Sequence, residues 1–180
     1  MRRWVWVSSA LAPVLLIGGW TLAQSRQPVG YEATRDTISA LAAHGAADAW
    51  IMTIGLAGLG VSHLVTAAGF EASGLAARAI LAAGGVATVV VSASPQPAAA
   101  HVPAAVIGFV MLAVWPAFVP RACFRWGRSA SLALLALLAW FAIALGAGTL
   151  VGVAERALAG AEALTPIVIV ATRSRAGAAR

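Results

Sequence analysis

Charged residues are sparse along this chain and fall between long apolar runs. Residues 4–23 read WVWVSSALAPVLLIGGWTLA and carry no charge. Residues 49–70, AWIMTIGLAGLGVSHLVTAAGF, hold one titratable group, His63. Further runs lie at 75–91, 101–118 and 130–148, with Arg78 close enough to the start of its run to snorkel. A helix needs ~20 mainly apolar residues to cross a bilayer, so each run predicts a membrane span. Trp4, Trp6, Trp20 and Trp50 stand at the predicted interfaces. Pro95, Pro97, Pro103 and Pro120 fall in connections or in a first turn, where a missing N–H is tolerated.

A sixth run, 152–171, is long enough to cross, but its first half, GVAERALAGAEAL, is polar for lipid. A surface helix over 153–163 is the rival reading. Arg2 and Arg3 before the first run raise the possibility of a cleaved signal peptide, yet that run exceeds the ~7–15 apolar residues of a signal, so it reads as a span.

The segment 30–45, GYEATRDTISALAAHG, breaks the pattern. It predicts a short amphipathic helix on the bundle's outer mouth. Asp36 would cap its start, Gly45 would end it, and Ile38, Leu41 and Ala42 would share one face. Asp48 likewise reads as the cap of the second span.

Composition agrees with the pattern. The chain is 61% hydrophobic and 10% charged, with mean hydropathy +0.90, against about 45–50% and about 25% in a soluble domain. Such a chain needs bilayer as its solvent, and its length suits one all-α integral membrane domain over residues 1–180. The net charge is +6 and all twelve basic residues are arginine. They form no basic run, so nucleic acid is not an expected partner; membrane lipids are. Cys123 is the lone cysteine, and His44, His63 and His101 lack ligand spacing. No metal or cofactor is expected.

Arginine placement orients the spans. With six crossings, Arg2, Arg3, Arg78, Arg121, Arg125, Arg128, Arg173, Arg175 and Arg180 share one side, and Arg26, Arg35 and Arg156 the other. Short loops rich in arginine stay inside. The expectation is a multi-pass protein of the cell membrane with both termini cytoplasmic and segment 30–45 outside. The small residues Ala79, Ala83 and Ala87, and Gly55, Gly58 and Gly60, predict close helix packing.

Two groups of residues carry candidate chemistry. The outer one is Arg35, Asp36, Ser39, His44, His101, Glu155 and Arg156. It could bind a ligand. It could also be a hydrolase, with Ser39 as nucleophile, His101 or His44 as base and Asp36 as orienting acid, if these come within hydrogen-bond reach. No G-x-S-x-G elbow frames Ser39. The plain alternative is that Asp36 caps, Arg35 pairs with Glu155 or a lipid headgroup, and Ser39 bonds a neighbouring helix. The inner group is His63 with Glu162. At ~1.5 Å per residue these lie ~20 Å and ~15 Å below the outer ends of their helices, depths that let them meet. A carboxylate at mid-membrane costs at least ~2.5 kcal/mol, so Glu162 should be paired, protonated or facing water. In the loop 120–129 the arginines read as topology determinants, and Cys123 as an inert thiol.

Tyr31, the run Arg35-Asp36-Thr37-Ile38-Ser39 with Leu41, Trp50-Ile51-Met52, His101 with Phe109, Trp115-Pro116 and Glu155-Arg156 together resemble the family named domain of unknown function 998, over about residues 10–172. That resemblance implies a bacterial or archaeal protein of about six spans and assigns no biochemical role. Three functions stay open: a protein binding or passing a small molecule, lipid or proton; an enzyme on a lipid; and an accessory subunit of another membrane protein. The first predicts a continuous polar path from the outer cluster to Glu162.

Overall fold

A computed structural model describes the backbone of residues 2–178 and the side chains of residues 2–173. Among them six α-helices form one bundle: α1 (Arg3–Gln24), α2 (Ala49–Gly69), α3 (Leu75–Ala93), α4 (His101–Val114), α5 (Gly127–Ala147) and α6 (Val151–Ala178). Helices α1 to α5, with α4 extended to Phe118, are long and apolar enough to cross a membrane. This is a helical membrane bundle. The polarity of α6 has a simple resolution. It packs against α1 and α5, with lesser contacts to α2 and α4, and Glu155 and Glu162 are both buried inside the protein. Protein, not lipid, surrounds its polar half.

α6 runs from one end of the bundle to the other. Near its start, Ala159 and Ala163 share a core with Ile38, Leu41 and Ala23. Near its end, Ile169 and Val170 share a core with Val5, Phe70, Ala77 and Phe124. That second end also gathers Arg2 beside Glu71 at 3.6 Å, and Arg78, whose guanidinium donates to the carbonyls of Ala67 and Ala68 and so caps α2. Arg180 and the Arg175 side chain lie outside the described residues. Cys123 is buried at this end, and burial pushes its thiol above the ordinary value.

Close packing comes from glycines. Gly60 and Gly85 face each other: a Cβ on Gly60 would lie 2.7 Å from the Gly85 carbonyl, and one on Gly85 2.9 Å from that of Gly60. Gly55 and Gly58 instead admit α1, against Leu15 and Gly19. The alanine stripe is corrected in part. Ala87 is buried, but Ala79 and Ala83 are exposed, and α3 packs through Ala77, Leu81, Gly84, Gly85 and Thr88. Four-residue spacing marks a face without saying which neighbour it meets. At Pro116, which removes an N–H from the end of α4, Ser131 of α5 repairs the break: its hydroxyl donates to Val114 O and accepts from Ala117 N.

Candidate functional site

The polar segment roofs one end of the bundle. It is held by backbone and buried side chains rather than by a capped amphipathic helix. Its one helical stretch is a single 3-10 turn, Ser39–Ala42, with Leu41 and Ala42 buried. Thr37, not Asp36, serves the turn, its Oγ1 accepting from Ala40 N at 3.1 Å. Asp36 faces backward and accepts from the Glu32 N–H at 2.7 Å. Asp48 does precede α2, but its carboxylate takes the Trp50 indole N–H instead of a helix amide. Gly45 does take a positive φ, +90, but it does not end the helical turn, which stops at Ala42 with Ala43 extended after it.

The start of α6 fastens this roof. Gly152 and Val153 donate their free first-turn N–H groups to Thr34 O, at 3.1 and 3.3 Å. Only a glycine fits there, because a Cβ on Gly152 would lie 2.3 Å from Ala33 O and 2.4 Å from Asp36 O. One turn on, the Arg156 Nη1 donates to Ala33 O at 2.8 Å and Asp36 O at 2.9 Å, and Nη2 donates to the Tyr31 hydroxyl. Burial holds the Tyr31 phenol above its ordinary 10.0, and nearby Arg156 offsets only part of that. Glu155 accepts from Ile38 N–H through Oε2 and from Ser39 Oγ through Oε1 at 3.5 Å.

The outer cluster therefore divides. Ser39, Glu155, Arg156 and the backbone of Asp36 come together. Arg35 does not reach Glu155; it pairs with Glu32 and Asp36 at 3.6 and 3.4 Å, on the exposed side. His44 and His101 are occupied elsewhere. The His44 Nδ1 meets Gln96 O at 3.1 Å, and the His101 Nδ1 meets Ser94 O at 2.8 Å. Both rings thus tie the α3–α4 connection, and Ser39 Oγ bonds a carboxylate in place of an imidazole.

Beneath the roof lies a cavity of about 50 Å³. Ser39 and Glu155 line its upper part, and His63 of α2, Thr88 of α3 and Glu162 of α6 line it as well. Glu155 and Glu162 are seven residues apart, two turns of one helix face. The walls between are apolar, among them Leu16, Leu59 and Phe109. His63 and Glu162 are fully buried. Neither His63 ring nitrogen and not the Glu162 Oε1 has a hydrogen-bond partner among the described residues. They share the cavity without bonding each other. Pro166, four residues past Glu162, has no N–H to give the Glu162 carbonyl, and α6 continues through it.

Thr88 and the docking role of Gly152 are missed by sequence reasoning. A lone threonine in an apolar helix has no pattern to single it out. The seven-residue spacing of Glu155 and Glu162 was the available signal that both face one interior.

No curated protein and no solved structure matches the chain. A family model does, over residues 10–172, a range that includes Tyr31, Ser39, Glu155 and Arg156 of this chain; the chain belongs to the family described as "Protein of unknown function (DUF998)".

Proposed function

We propose that the protein binds a small polar solute inside the bundle and admits it at the roofed end. The supporting observation is that Ser39 and Glu155 of the roof and His63 and Glu162 of the interior line one cavity. In this reading α6 is a sixth crossing. The end bearing Arg2, Arg78, Arg121, Arg125, Arg128 and Arg173 is cytoplasmic, as are both termini, and the roof faces outward. A lipid hydrolase at Ser39 is the weaker reading, because the serine has a carboxylate for a partner and both nearby histidines are bound to carbonyls.

The cavity's size restricts the solute. At roughly 10–15 Å³ of such volume per water, 50 Å³ holds about three to five waters. A lipid tail does not fit.

Access is tested by placing cysteine at Ala159, beside the cavity, in a Cys123→Ala background. A small thiol reagent added outside should modify it, and faster when the roof is loosened by Arg156→Met. Modification from the cytoplasmic side alone, or none from either side, would overturn the reading.

A further inference from the structure

We infer that the inner part of the cavity binds ammonium, a small monocation that donates hydrogen bonds, between Glu162 and His63. This rests on the proposed reading for the route of access and adds the nature of the occupant.

The lining has acceptors to spare and few donors. Glu162 Oε1 is unpartnered and buried. A neutral imidazole offers one N–H and one lone pair, and His63 uses neither within the protein. The Thr88 hydroxyl spends its hydrogen on Gly84 O at 2.9 Å, so its lone pairs remain. Ser39 spends its own on Glu155. No arginine lines the cavity, and Arg156 directs its Nη groups to the roof. An anion would find almost nothing to bond.

Charge points the same way. The titratable groups on the cavity wall are Glu155 and Glu162 from α6 and His63 from α2; α1, α3, α4 and the roof turn contribute none. Glu155 has the Ile38 N–H and Ser39 hydroxyl as donors. Glu162 has no such donor at Oε1. A buried carboxyl with apolar walls must either hold a proton or face a cation. A proton alone meets that need by forming the O–H bond of a neutral acid, which leaves no cation in the cavity. Ammonium meets it intact: the carboxylic acid releases its proton to water, and the carboxylate then holds the cation. About three to five water volumes accommodate ammonium, whereas tetramethylammonium is too large and has no N–H.

The test uses the full-length protein in lipid nanodiscs, with ammonium chloride and tetramethylammonium chloride at equal ionic strength. Infrared difference spectra should show a carboxylic C=O band that disappears in Glu162→Gln. If ammonium is the occupant, it converts that band to carboxylate and raises the unfolding temperature saturably, tetramethylammonium does neither, and both effects vanish in Glu162→Gln and weaken in His63→Phe. If the band titrates with pH and exchanges with D₂O but ammonium has no effect, Glu162 holds only a proton and the cation site is refuted. A Glu162 band insensitive to pH, D₂O and ammonium, or an ammonium effect that survives Glu162→Gln, would overturn the inference. Gel filtration confirms that the variants fold, and His63→Phe gives an independent readout if Glu162→Gln does not. Thiol access at Ala159→Cys is scored separately, so failure of the entrance and failure of the cation site are distinguishable.

Discussion

Arg156 should act as a latch whose loss opens the roof without unfolding the bundle. Its guanidinium bridges α6 to two carbonyls of the polar segment, Ala33 O and Asp36 O, and to Tyr31. A hydrogen bond to a charged group contributes about 1.5 kcal/mol or more, so the two carbonyls together account for about 3 kcal/mol. Water at the opened mouth recovers part of this, leaving about 2 kcal/mol, or about a 30-fold rise in the open population. Leu41 is fully buried under the roof and reports that opening. With Leu41→Cys in the Cys123→Ala background, Arg156→Met should speed thiol labelling by about 30-fold. Gly152→Ala should do the same by a separate route, since its Cβ would collide with backbone oxygens of the roof that cannot rotate away. The thermal unfolding of the bundle core should change far less. Unchanged labelling in both variants, with the fold intact, would refute the latch.

Three other outcomes are expected. Tyr31 is the only tyrosine in the chain, so alkaline tyrosinate absorbance reports it alone. Its midpoint should lie above 10.0. Because the raised value favours the neutral phenol in the folded state, the stability it contributes is present below pH 10 and is lost as pH rises through the higher folded value; a midpoint at or below that of free tyrosine contradicts the burial. Gly60→Ala should destabilise the α2–α3 pair by about 1–3 kcal/mol, since its Cβ would press on Gly85 O and Val89 N, and a denaturant titration in mild detergent checks this. Glu162→Met should be neutral or stabilising, because it removes a buried carboxyl without a hydrogen-bond partner at Oε1, a burial that costs about 1–3 kcal/mol; a large loss of thermal stability would show that the carboxyl is structurally paired.

The helices were legible because bilayer solvent imposes length and apolarity on each span. α2 and α3 begin at the residues the hydropathy pattern marks, Ala49 and Leu75. α6 was ambiguous for a physical reason: hydropathy scores a residue against lipid, whereas Glu155 and Glu162 face protein. The roof was misread in detail because capping rules describe local bonds. Ser39 satisfies a partner set by tertiary docking, Asp36 turns back to the Glu32 N–H instead of capping forward, and a four-residue 3-10 turn leaves little periodicity to detect. Helix rise alone puts His63 and Glu162 at depths of ~20 Å and ~15 Å, close enough to meet. It could not show that the two would leave space between them rather than bond.

The account depends most on the roof and the two termini lying on opposite sides of the membrane. Right-side-out and inverted vesicles carrying Ser39→Cys in the Cys123→Ala background, with a protease site after Arg180, test this directly. Impermeant reagent should modify the cysteine from the outer side only, and protease should cut the tail from the cytoplasmic side only. Modification and cleavage from the same side would contradict the sixth crossing, and with it the cavity entrance proposed at the roof.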